Sequence, residues 1–382
     1  MSTDTLSAAI DGIELVDHHV HGALHHEVDR NSLEQMLTES DRPIPPWMTQ
    51  FDSQVGLAVR RWCAPVLGLR PHASPEDYMA ARQDLGVVEV TRRLLAAGGI
   101  GHYLLETGYK GDEILDVQGM AAASGRPVDE VVRLETVLED VARTGVSAAD
   151  LPTRFREALA ERTAHAVGLK SIVAYRYGFD FDPERPTDQE VTRAAGAWLA
   201  RSRSENSYRV SDPVLLRFAL WAGVDRDLPI QLHAGYGDPD VELHRCDPLL
   251  LTRFIKNVEP HGVDLLLLHC YPFQRNAGYL AQVFPHVYFD VGLGVNYTGA
   301  RSDAVVAESL ELAPFAKILF SSDAWGPPEL HHLGALLWRR GMSRALSGWV
   351  ADGDWSVDDA VRIARMIGRD NARRVYGLAG GE

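Results

Sequence analysis

The chain has 382 residues, 38 Lys+Arg against 53 Asp+Glu for a net charge of −15, 46% hydrophobic residues and 24% charged ones. That composition is ordinary for a folded globular protein and excludes long disorder or a fibrous architecture, while the length suits two average domains or one large α/β barrel. A negative long-range field makes phosphate backbones and anionic lipid poor partners, so a small molecule is expected, with neither nucleic acid nor membrane; homo-oligomerisation is compatible with the sequence but not specified by it.

Cys63, Cys246 and Cys270 are far apart, odd in number and without CxxC spacing. They read as reduced thiols of a cytoplasmic chain and not as a disulfide scaffold or thiolate zinc site. Residues 1–12 lack a basic segment followed by an apolar one, and no run approaches about 18 apolar residues, so neither secretion nor membrane insertion is expected.

In chain order, eight short apolar runs read as strands: 13–20, 100–108, 128–135, 167–176, 229–235, 263–270, 286–292 and 317–323. Several, such as VDLLLLHC and KILFSSD, are apolar in the body and polar at the end, as parallel strands buried on both faces are. The helices between them have recognisable ends. Ser74-Pro75-Glu76-Asp77 offers an N-cap serine, a first-turn proline and two acids, and that segment stops at Gly98-Gly99. Ser211-Asp212-Pro213 opens another, and Ser356 with Asp358 and Asp359 opens the last, which runs to about Ala372. Strand and helix alternating eight times predict an α/β fold, a (β/α)8 TIM barrel, with a doubly wound sheet as the alternative. The stretch 39–97 between strands one and two is too long for a βα loop. With Pro43, Pro45, Pro46, Trp47 and Trp62 it is expected to form a helical insertion over the barrel mouth, within one domain spanning 1–382.

Polar residues gather at the strand ends. Strand one closes with Asp17-His18-His19-Val20-His21, strand five with Gln231-Leu232-His233, strand six with Leu268-His269 and strand eight with Ser321-Ser322-Asp323. In a barrel these are the C-terminal ends, where active sites are built. His19 and His21, two apart on an extended strand, point to one face. A lone histidine ending an apolar run is more often structural than a ligand, but four strand ends carrying imidazole or carboxylate point together to a metal site. His18 has the opposite parity and is expected to face outward. His25, His26, His331 and His332 lie past strand ends and read as solvated or rim residues.

These strand ends resemble the amidohydrolase superfamily, with HxH on strand one, histidines ending strands five and six and an aspartate ending strand eight. GLKSIVAYRYG (168–178), PIQLHAGYGDPDVEL (229–243), LLLLHCYPFQRNAGYLAQVFPHVYFDVGL (265–293), KILFSSDAWGPPE (317–329) and NARRVYGL (371–378) are similar to the amidohydrolase-related (amidohydrolase 2) family, in the FluG-type branch sometimes fused to a glutamine-synthetase-like domain. The resemblance implies His19, His21, His233, His269 and Asp323 as metal ligands, with Asp323 as general base and His269 beside it in catalysis. The donors suit one or two divalent ions, Zn²⁺ first and Mn²⁺, Fe²⁺ or Ni²⁺ as alternatives, with a bound water whose pKa falls to about 7. Asp323 could instead cap the loop that follows it.

Lys170 fits a strand-four lysine that can be carbamylated and bridge two metals. Yet the apolar run continues to Tyr175-Arg176, which in a continuous strand would put Lys170 nearly 20 Å below Arg176 at about 3.3 Å per residue. Either the strand ends near Lys170, or the lysine is buried with a carboxylate. Glu135, ending strand three, is the rival bridging group. Arg133 and Arg176 could each clamp a substrate carboxylate, or could be spent on ion pairs with Glu135 or Glu106. Tyr109, Tyr175, Tyr236, Tyr271 and Trp325 could wall the pocket, and Asp238 and Glu329 could orient imidazoles. The basic set Arg369, Arg373 and Arg374 reads as a solvated helix face. The expected function is metal-dependent hydrolysis of a C–N amide, with γ-glutamyl amides implied by the FluG-type resemblance. A non-oxidative decarboxylase and a metal-bound scaffold for a glutamine-synthetase-like partner are the alternatives.

Overall fold

The computed structural model describes residues 3–378. Seven parallel strands form one curled sheet in sequence order: β1 (Leu15–Val20), β2 (Ile100–Glu106), β3 (Val128–Arg133), β4 (Gly168–Ser171), β5 (Ile230–Ala234), β6 (Leu265–His269) and β7 (Val287–Phe289). Segment 318–324, where an eighth strand is expected, forms no ladder of its own. It is tied to both sheet edges by separate bonds. Ile318 bridges Phe289, and Leu319 N donates to Phe289 O at 3.0 Å. On the other edge His18 N donates to Phe320 O at 3.3 Å, Asp323 N to His19 O at 3.1 Å and His21 N to Ala324 O at 2.8 Å. The result is an α/β fold of TIM-barrel type, with seven laddered strands.

Strand alternation divides the core. Leu15, Tyr103, Leu105, Val132, Leu265 and Leu267 pack into the large cluster shared with the helices. Their neighbours Val16, Leu104, Val131, Leu266 and Leu268 pack on Tyr288, Leu319 and Tyr376 in a second cluster that fills the barrel. The C-terminal segment therefore closes the barrel from below, opposite the strand ends that carry the histidines.

The stretch between β1 and β2 is largely helical. Ser74 Oγ accepts from Asp77 N as the expected cap, but the single helix expected there is two, Pro75–Leu85 and Val87–Gly98, separated by Gly86 at φ 76°. That left-handed value favours glycine and ends the first helix. Helix Val87–Gly98 packs on helix Pro328–Asp352 and leads directly into β2, so the end of the expected insertion lies in the helical layer. Helix Pro213–Val224 opens at Asp212, whose side chain accepts from Val214 N and Leu215 N. Among the described residues no helix is long and apolar enough to cross a membrane.

Candidate active site

The polar strand ends line a cavity of about 240 Å³ that includes His19, His21, Lys170, His233 and Asp323. Donor atoms of His19, His21 and Asp323 lie within 4.8 Å of one another. Asp323 Oδ1 stands 3.1 Å from His19 Nε2 and 3.7 Å from His21 Nε2, and its Oδ2 is 3.2 Å from His269 Nε2. The His233 ring centroid is 4.9 Å from that of His269. Backbone strain accompanies the cluster: Asp323 (φ 49°), His269 (φ 69°) and Cys270 (φ 52°) adopt left-handed conformations that non-glycine residues avoid. At Gly235 (φ 78°), after β5, a Cβ would meet Tyr271 O at 2.3 Å, so glycine lets the loops behind His233 and His269 close together.

Burial holds His19, His233 and His269 well below the usual imidazole range, with the Lys170 charge adding to the effect, and lowers His21 to about 4. The rings are therefore neutral near pH 7 and can act as ligands. Burial also raises Asp323 well above the ordinary carboxylate range. Among the described residues no hydrogen bond reaches His233 Nε2 or either ring nitrogen of the buried His269, although carboxylate oxygens of Asp323 and Asp290 stand 3.2 and 3.7 Å from the two His269 nitrogens. Each such atom costs about 1–3 kcal/mol unless something binds it. Neutral imidazoles around one carboxylate, with orphaned lone pairs, fit a borderline divalent cation.

Supporting groups hold the rings. His21 Nδ1 is 3.3 Å from both Glu106 O and Glu106 Oε2, and His331 Nε2 donates to His21 O at 3.0 Å. His19 Nδ1 faces Gln231 Oε1 at 2.7 Å. Asp290 Oδ1 accepts from His269 N and Gly292 N, both at 2.8 Å.

Several expectations need correction. β4 stops at Ser171 and residues Val173–Arg176 form a helical turn, so Lys170 sits at a strand end, buried, with Nζ 3.3 Å from His19 Nε2. Burial lowers that lysine to about 8. His18 does not face outward. A register shift between Asp17 and Val20 breaks the alternation, and His18 bonds Tyr376 Oη at 3.0 Å and Asp290 Oδ2 at 2.9 Å. Glu135 lies in the first turn of helix Leu134–Arg143, where it accepts from Ser171 Oγ at 2.6 Å and Ile172 N at 3.0 Å. It ties β4 to that helix and is not among the cavity-lining residues. Among the described residues no imidazole bonds the Glu329 carboxylate; Tyr78 and Arg82 donate to it instead. His331 and His332 are buried in helix Pro328–Asp352, not solvated. Arg374 bonds Tyr288 Oη and Ala316 O, so it too departs from a purely solvated face.

Arg133 lines the cavity with its fork closed on Glu106, Nε to Oε1 at 3.0 Å and Nη2 to Oε2 at 2.5 Å. Arg176 also lines it; its Nη1 is 3.0 Å from Glu139 Oε1 and its buried Nε has no partner. Tyr175, Tyr109, Trp325 and Asp238 border the same space, with Tyr175 4.3 Å from His233 between ring centroids. Tyr236 and Tyr271 lie outside it, in T-shaped contact at 6.5 Å. The cavity also holds Glu39 and Arg209, which carry no strand-end signal and arrive from the helical stretch and from a loop. Gln231, by contrast, was readable: it shares the face of His233 two residues away.

Residues 112–378 match the model of the amidohydrolase family. Protein fluG of Emericella nidulans is 32% identical over 223 residues, 56% of this chain and 26% of that protein, so the chain spans about a quarter of that relative's length. A Lactobacillus casei protein described as a metal-dependent hydrolase superposes with a TM-score of 0.86 at 28% identity over 97% of both chains. A uronate isomerase of Bacillus halodurans shares the fold, with a TM-score of 0.68 at 13% identity over 99% of this chain and 96% of its own. The barrel with its imidazole and carboxylate strand ends, and the family match covering well over half of the sequence, place this chain in the amidohydrolase family as a metal-dependent enzyme.

Proposed function

We propose that the enzyme hydrolyses a C–N amide bond, with γ-glutamyl amides of amines as its substrates, using zinc held among His19, His21, His233, His269 and Asp323. The observation that carries this reading is the set of buried nitrogens of His233 and His269 that make no hydrogen bond, beside the His19–His21–Asp323 donors. A divalent ion held there would supply Lewis-acid polarisation of the carbonyl and lower the pKa of the attacking water. Asp323 would accept the proton and pass it to the leaving nitrogen. Lys170, 3.3 Å from His19 Nε2, would repel a cation as an ammonium, and to join the site it would have to lose a proton and stay a neutral amine or take up CO2 as a carbamate.

The lining of the cavity supports a glutamyl head group. Arg133 and Arg176 supply guanidinium groups, and Glu39 and Asp238 supply carboxylates, matching an α-carboxylate and an α-ammonium. Arg176 keeps a buried Nε without a hydrogen bond, whereas Arg133 is committed to Glu106 through both arms of its fork. Tyr175, Tyr109 and Trp325 provide the wall, and Tyr236 stands behind it.

The test is product release by the purified chain loaded with zinc. Glutamate and free amine should appear from γ-glutamyl amides, and His19→Ala with His21→Ala should lose both the metal, at least one ion per chain, and the turnover. Release of CO2 from a carboxylate substrate without amide cleavage would favour the decarboxylase, and an inert zinc-loaded chain the scaffold. Stoichiometric metal in the double variant would overturn the ligand assignment.

A further inference from the structure

A chain of hydrogen bonds runs beneath the metal-ligand cluster from Asp290 to His19, and its direction follows from which atoms can donate. Gln231 is fully buried, and one end of its amide lies 2.7 Å from His18 O. A carbonyl only accepts, so that end is Nε2, and the end 2.7 Å from His19 Nδ1 is Oε1. His19 must then carry its proton on Nδ1. Its Nε2 is left as a lone pair facing the cavity.

The second Nε2 hydrogen of Gln231 points to Tyr376 Oη at 2.8 Å. The phenol oxygen is thereby an acceptor, and its own proton goes to His18 Nδ1 at 3.0 Å. His18 Nε2 donates in turn to Asp290 Oδ2 at 2.9 Å. Each buried donor in this series has an acceptor, and reversing the amide would set two oxygens 2.7 Å apart.

Tyr376 comes from the C-terminal segment, and the fold makes room for it. Asn371 Nδ2 anchors that segment to Phe315 O and Ile318 O, both at 2.8 Å. At Gly168, which opens β4, a Cβ would stand 3.0 Å from the Tyr376 ring.

We propose that Tyr376 is a positioning residue: through Gln231 it holds His19 as the Nδ1–H tautomer, so that docking of the C-terminal segment readies a metal ligand on the far side of the barrel. The consequence for metal affinity rests on the zinc reading above, whereas the tautomer is a property of the metal-free chain and is tested separately.

The experiment uses the full chain, stripped of metal and labelled with ¹⁵N-histidine. The His19 imidazole, assigned by the signals lost in His19→Ala, should show a protonated Nδ1 with slow proton exchange. Tyr376→Phe, which keeps the ring, should speed that exchange about tenfold or more and weaken zinc binding, measured by chelator competition. Gln231→Leu should weaken zinc binding by about 10–100-fold, the usual range for a lost outer partner of a ligand imidazole. A His19 proton on Nε2 in the unaltered chain would overturn the proposal without any variant, as would wild-type exchange and zinc affinity in folded Tyr376→Phe. A protonated Nδ1 in a chain that binds no zinc would support the tautomer and overturn the zinc reading.

Discussion

Asp323 and Glu329 are six residues apart, and each anchors a buried cluster of titratable groups. Around Glu329 the chain supplies both signs of charge: Arg82 and Tyr78, both on helix Pro75–Leu85, donate to Oε1, with Tyr78 Oη at 2.7 Å. Around Asp323 stand neutral imidazoles, two of them with orphaned nitrogens, and a lysine whose own charge is disfavoured by burial. The first cluster carries its own counter-charge and joins the helical stretch to the first turn of helix Pro328–Asp352. The second holds a carboxylate whose ionisation burial disfavours, a cost that a nearby cation would offset. Glu329 Oε2 is also left without a hydrogen bond, so what separates the two clusters is the Arg82 counter-charge beside Glu329, which suits structure, against uncharged lone pairs beside Asp323, which suit a cation.

If that division holds, variants in the two clusters should fail in different ways. Asp323→Asn keeps the shape and removes the base, so kcat should fall by about 10²–10⁴ at full metal occupancy while unfolding stability is kept. Wild-type turnover in the metal-loaded variant would mean that another group moves the proton. Arg82→Met leaves Glu329 buried without its cation, and breaking such a pair costs about 3–5 kcal/mol. Denaturant unfolding should show that loss, with kcat per folded molecule unchanged, and Arg82→Met with Glu329→Leu should recover most of it. A fall in kcat without a fall in stability would break the comparison from the Glu329 side.

Much of this arrangement is legible in the sequence, because apolar bodies with polar ends follow directly from parallel strands buried on both faces. What misled was local irregularity. Period-two parity turned His18 outward, but the register shift after Asp17 sets His18 and His19 on one bonded network. The run 167–176 read as one strand because Val173 and Ala174 suit a buried helical turn as well as a strand, and periodicity cannot separate the two over four residues. Correcting it brings Lys170 up to the cavity. His331 and His332 looked peripheral in sequence, yet helix Pro328–Asp352 buries them against the barrel. Tyr376 could not have been found from spacing at all, since its partner Gln231 lies 145 residues away and only closure of the barrel brings them together.

The smallest expected effect separates the two arginines that the sequence treated alike. Arg133→Met would strip the fully buried Glu106 of a bidentate partner, and Glu106 also faces His21 Nδ1 at 3.3 Å, so its loss would disturb the His19–His21–Asp323 cluster. Arg176→Met is the cleaner probe. Its partner Glu139 keeps a hydrogen bond from Val210 N at 2.9 Å and an Arg143 guanidinium at 3.7 Å, so no orphaned carboxylate remains. A buried charged hydrogen bond to a substrate carboxylate is worth about 2–5 kcal/mol on truncation. At about 1.4 kcal/mol per decade, kcat/KM for γ-glutamyl amides should therefore fall about 30-fold or more. A neutral amide without the α-carboxylate should be cleaved as before. Equal losses on both substrates would mean that Arg176 only holds the turn Val173–Arg176 in place, and the glutamyl reading would lose its physical basis while amide hydrolysis by the metal-bound cluster stood.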